Sequence, residues 1–141
     1  MCLKTRNFKC NIADEDILCF KVLEFSQACG YMTPCIHSYV AQDILNGIKN
    51  MVALGEEEYN SHSTFMEING GFIHTFKCVE DAIVFCDYND LFSNGAFHIF
   101  KCIIPKGTRY YDGTCFCYGV MDSYASKEIK YLEKLDFTEE E

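Results

Sequence analysis

Three groups of residues carry side chains whose types and spacing could do chemistry. The turn Pro105-Lys106-Gly107-Thr108 exposes backbone N–H groups, with Lys106 and Arg109 on either side. Backbone donors and a guanidinium together can hold a phosphate or carboxylate. Tyr110 or Tyr111 adds an aromatic face on which a base could stack. The alternative is a hairpin turn with solvated cations. Cys2 is the second group. Removal of Met1 would place an α-amine beside its thiol, base and nucleophile in one residue. Its alternative is a terminal residue tucked under a sheet. The third is His74, beside the Asn69-Gly70-Gly71 turn, where a histidine can act as acid, base or ligand donor. A satisfied structural histidine is the plainer reading there.

Metal chemistry is not expected. No CxxC occurs, and the one tight pair is Cys115-Phe116-Cys117. The segments around Phe72 and Phe97 both contain His-x-Phe-Lys-Cys, which suggests a His2Cys2 set. In an extended strand His74 and Cys78 lie about 13 Å apart, too far to share one ion. Two similar strands in one sheet account for the echo. No phosphate-binding or dinucleotide glycine motif is present.

These residues need elements to position them. Ile17 to Leu23 reads as a buried strand interrupted by Lys21, and Cys35 to Tyr39 as a short one. Val40, Ile44, Leu45, Ile48, Met51 and Val52 recur at helical spacing, predicting a long helix from Val40 to Leu54. Glu56-Glu57-Glu58 opens a polar loop through Thr64. Phe65 to Ile68 and Gly71 to Phe76 read as strands. Val79, Ala82, Ile83 and Cys86 predict a short helix with Glu80 and Asp81 in its first turn. Ala96 to Ile104 is the clearest strand. Asp112-Gly113 reads as a turn, Cys115 to Val120 as a weaker strand, and Ser126 to Leu132 as the last strand. The order implies an α+β fold: one domain over 1–132, mainly antiparallel sheet with one long and one short helix, then an acidic tail over 133–141.

Composition excludes several classes. The 141 residues suit one domain, and 49% apolar with 23% charged residues is ordinary for a globular chain. The longest apolar run, Ala82 to Cys86, is far short of the ~20 residues of a membrane span. Lys and Arg total 12 against 21 acids, a net charge of −9 that disfavours coating a long nucleic acid. Ten cysteines without an apolar leader predict reduced thiols, mostly packed as core, in a cytoplasmic protein.

Met1-Cys2-Leu3, Glu15 to Leu23, Gly71 to Phe76 and Cys102 to Tyr111 together resemble a group of small uncharacterised proteins from phages and gut bacteria. The resemblance covers most of the chain and implies a phage setting and the host cytosol. It further implies an anti-defence role, some such proteins caging nucleotide immune signals. A second similarity is to ADP-ribosyltransferase-like folds. Ile104 to Thr108, followed by Ser126-Lys127-Glu128-Ile129, resembles that family's late hairpin, so Glu128 would match its catalytic position. Ser61-His62-Ser63-Thr64 resembles its Ser-Thr-Ser element. Its first core strand carries Arg or His, where this chain offers Lys21.

The expected function is binding of a small anionic ligand, a nucleotide signal among the candidates, by His74, Lys106, Arg109 and Tyr110, without a cofactor. The alternatives are an enzyme using Glu128 or Cys2, and an inhibitor that docks on a host protein through its acidic, aromatic-rich surface.

Overall fold

Alternation with period two dominates this chain. In the strand from Ile17, residues Cys19, Lys21 and Leu23 are buried on one face, while Leu18 on the other face is exposed. The computed structural model describes residues 3–6, 8–26, 30–32, 50–53, 56–93, 96–115 and 119–135. In chain order these form β1 (Leu3–Thr5), β2 (Asn11–Ile12), β3 (Ile17–Ser26), β4 (Gly30–Met32), β5 (Asn50–Val52), β6 (Glu58–Ser61), β7 (Met66–Gly70), β8 (Ile73–Phe76), α1 (Val79–Ser93), β9 (Ala96–Ile104), β10 (Arg109–Cys115), β11 (Met121–Ser126) and β12 (Glu128–Leu135).

The strands make one antiparallel sheet that curls into a half-barrel, in the order β5-β12-β9-β3-β8-β11-β10-β1-β7-β6. β2 also pairs with β10, and β4 with β3. β3 and β9 register from Ile17↔Ile104 to Phe25↔Ala96. Cross-strand partners share a face. Cys19, Cys102, Phe100 and Tyr131 therefore build a first face with Leu23, Ile73 and Ile129. Val22, Ile99 and Phe76 build the second face, which packs against Ala82, Phe85 and Cys86 of α1. Those three helix positions have the i, i+3, i+4 spacing of a single stripe. Farther along the sheet, Leu3, Ile68, Phe72, Tyr111 and Ala125 form a third cluster. β3 meets β8 at Phe20↔Phe76, and beside that pair buried Lys21 donates to the His74 carbonyl at 2.8 Å.

The α+β expectation with one long and one short helix is overturned. The described residues hold twelve strands and one helix, so the fold is mainly β. Most of the predicted Val40–Leu54 helix falls outside the described residues, but its last part is β5, paired to β12 at Val52↔Glu128. The physical reason is visible in the burial. Ala53 is buried and Met51 packs on the first-face core, whereas Val52 is 57% exposed, an alternation of period two. The strand predicted at Cys35 to Tyr39 also lies outside the described residues.

Other differences are smaller. The polar loop from Glu56 to Thr64 contains the exposed strand β6. Asp112-Gly113 is no turn; it runs through the middle of β10, and Gly119 and Val120, in the weaker predicted strand, are not in a strand. The strand predicted over Ala96 to Ile104 is β9, and Pro105 to Thr108 does turn, with Gly107 at φ 90°. No helix among the described residues is long and apolar enough to cross a membrane.

Candidate functional site

A dense polar cluster among the described residues forms where β10 starts. Arg109 begins that strand directly after the 105–108 turn, and its carbonyl accepts a 3.0 Å bond from the Lys127 N–H. That bond brings the bend between β11 and β12 alongside. From the other direction comes Glu57, one residue before β6. Its backbone lies against Gly71, where a Cβ would stand 2.6 Å from Glu57 Cα and 2.7 Å from Glu56 O. Gly71 also has φ 78°, a conformation that side chains resist. Glycine at this position is what lets the Glu56–Glu57 backbone approach.

The Glu57 carboxylate is then gripped from several sides. Arg109 donates to it through both terminal nitrogens, Nη1 to Oε2 at 2.9 Å and Nη2 to Oε1 at 3.2 Å. Lys127 Nζ stands 3.3 Å from Oε2 and donates to the Gly71 carbonyl at 2.7 Å. The Tyr59 hydroxyl donates to Oε1. An aromatic wall flanks the group. Tyr59, Phe72 and Tyr111 meet edge to face, with centroids 6.1, 6.1 and 5.5 Å apart, and Lys127 Nζ lies 4.9 Å from the Phe72 ring centre. The Arg109 and Tyr59 hydrogen bonds pull the Glu57 carboxyl down to about 2. The Glu57 carboxylate in turn raises the Arg109 guanidinium above its ordinary value. Burial, then the bond to Glu57, raises the Tyr59 phenol, so it stays a donor. The Cys10 thiol lies close enough to Arg109 to act on it electrostatically.

The residues expected from sequence are only partly brought together. Lys106 is exposed beside Arg109, but the backbone donors of its turn face acceptors of the chain itself. Lys106 N donates to Asp16 Oδ1 at 2.9 Å, Gly107 N to Ala13 O at 2.8 Å and Thr108 N to Pro105 O at 3.1 Å. Tyr110 follows Arg109 in a strand, so the two side chains take opposite faces. Tyr110 packs on the first-face core, edge to face with Tyr124 at 5.8 Å. His74 lies in register with Ala125, which registers with Tyr111, so it shares the Arg109 face. Its ring is nevertheless buried, and Nε2 has no hydrogen-bond partner among the described residues. Burial, reinforced by nearby Lys21, lowers its pKa to about 3, which leaves a neutral imidazole.

Glu128 lies at the start of β12 opposite Val52. Cys2 falls outside the described residues. His62, of the Ser-His-Ser-Thr segment, is exposed, 3.3 Å from Glu67 and stacked on Phe65. Glu57, Tyr59 and Lys127 were not singled out by sequence reasoning. Glu57 sits inside an acidic run with nothing to distinguish it, and its contact with Arg109 spans 52 positions. The described cysteines are all free thiols. Burial pushes Cys19 up to about 12 and raises its cross-strand neighbour Cys102 as well. Among the described residues, no group of three or more His, Cys, Asp or Glu could hold a metal ion.

No family model, curated protein or solved structure matches the chain.

Proposed function

We propose that this chain is a binding protein for a small anionic ligand, with the Arg109–Lys127 cradle as its site. One observation carries the reading: a guanidinium fork, an ammonium and a phenol converge on a single carboxylate, that of Glu57. The geometry that holds this carboxylate is the geometry that recognises carboxylates and phosphates from outside. The ligand would take the place of the Glu57 side chain, which is 26% exposed and would turn toward solvent. Tyr59, 38% exposed and backed by buried Phe72 and Tyr111, is the ring that would pack against an organic part of the ligand. Binding rather than turnover is favoured because Arg109 and Lys127 neutralise the one carboxylate in the cradle, which makes it a poor base. Sequestration of a nucleotide signal, in a phage anti-defence setting, belongs to this proposal.

The test is direct. The protein is incubated with a panel of nucleotides, dinucleotides and sugar phosphates, separated from free ligand and heat-denatured, and the released small molecules are identified. Intact ligand is expected. A chemically altered ligand would replace binding with catalysis. No uptake from the whole panel would leave the acidic, aromatic-rich surface as a protein-docking surface and remove the anion site.

A further inference from the structure

Resting on the anion-binding reading, we infer that the cradle takes phosphoryl dianions rather than carboxylates, because Glu57 sets an affinity threshold that only the more highly charged, three-oxygen anion clears. A ligand carboxylate offers the cradle two coplanar oxygens and one charge. Glu57 already supplies both, with two oxygens on the two Arg109 nitrogens, one of them shared with Lys127 and the other with Tyr59. A free carboxylate would thus exchange like for like against a tethered competitor. Tethering over a short segment gives an effective concentration in the millimolar range. This tether is tighter still, because the Glu56–Glu57 backbone is seated on Gly71. The incoming carboxylate must also meet the cost of association, which Glu57 does not.

A phosphoryl group differs in two ways. It carries about −1.5 to −2 charge at pH 7, and it has a third terminal oxygen. Two oxygens match the Arg109 fork, as guanidinium–phosphate pairs commonly do. The third suits Lys127, whose ammonium has three donors and spends one on the Gly71 carbonyl. Two cations flank the position, so the added negative charge is favoured there. Once displaced, Glu57 is repelled by the same dianion and moves outward. The cradle is therefore a filter in which the intramolecular carboxylate sets the threshold.

Phenyl phosphate and benzoate make a matched pair of probes, alike in the ring and different in the oxyanion. Titration calorimetry on the full chain is expected to show phenyl phosphate binding at least about tenfold tighter than benzoate. In Glu57→Ala both probes should gain about tenfold or more, because each displaces the same carboxylate, and phenyl phosphate should keep its lead. Equal affinities in the wild-type chain would overturn the selectivity, as would a benzoate affinity untouched by Glu57→Ala. Those results leave the anion site standing. Failure of both probes to bind both proteins would overturn the anion site as well. The wild-type comparison needs no variant, and Glu57→Gln, close in size, repeats the second arm if the alanine form folds poorly.

Discussion

Lowering the pH from 7 to 4.5 is expected to cost the protein about 3 kcal/mol of stability through His74 alone. In the folded chain this imidazole is buried, with no hydrogen-bond partner for Nε2 among the described residues and the Lys21 ammonium nearby. Burial and then that positive charge hold its pKa at about 3, against an ordinary value of 6.5. As the pH falls below 6.5 the unfolded chain takes up a proton that the folded chain refuses. The stability His74 permits is therefore fully present above pH 6.5 and is lost as the pH falls toward 3. Each unit in that window is worth about 1.4 kcal/mol. Against a typical total of 5–15 kcal/mol, this is a large share. Urea unfolding of wild type and His74→Gln at both pH values checks it. The wild type should lose about 3 kcal/mol more than the variant. Parallel losses would mean that the imidazole is not held neutral.

The second large effect is expected at Gly113. β10 passes so close to β1 that a Cβ at this position would stand 2.2 Å from the Lys4 carbonyl oxygen and 2.9 Å from Leu3 Cδ2. Backbone cannot yield as a flexible side chain does. Gly113→Ala must push β1 outward, breaking its pairing at Lys4↔Thr114 and drawing fully buried Leu3 out of the third cluster. Uncovering one leucine costs about 1.5–3 kcal/mol, and the lost pairing adds to it, so about 3 kcal/mol or more is expected. Gly107→Ala is the control. It has a positive φ of 90°, which Gly113 does not, but a Cβ there meets nothing within 4 Å, so its cost should stay at about 1–2 kcal/mol. Denaturant unfolding of both variants compares them. Equal destabilisation would show that β1 does not pack against Gly113 as described.

The limits of the sequence are instructive at particular residues. β9 was legible because Phe97, Ile99, Phe100 and Cys102 to Ile104 make an apolar-rich stretch, broken only at His98 and Lys101 and closed by Pro105. The turn was legible because Pro105 and Gly107 fix its backbone. β11 was not, since its buried positions include Ser123 and Ala125, which carry little hydrophobic signal. β5 was misread because three residues are too few to separate period 2 from period 3.6. Arg109 could be nominated from its own turn, whereas its partners could not. Glu57 and Lys127 reach it only through the fold, from segments far apart in the chain, and charged residues in surface loops ordinarily signify solvation alone.

Calorimetric titration of phenyl phosphate into wild type and Arg109→Ala tests the central claim most directly. Removing the fork should weaken binding about 10- to 100-fold, the loss of about 1.5–3 kcal/mol expected when a charge-assisted bond disappears. The surface ion pair with Glu57 contributes at most about 1 kcal/mol to stability, so the variant should remain folded at room temperature. An Arg109→Ala protein that is folded and binds phenyl phosphate as tightly as wild type would contradict the anion cradle.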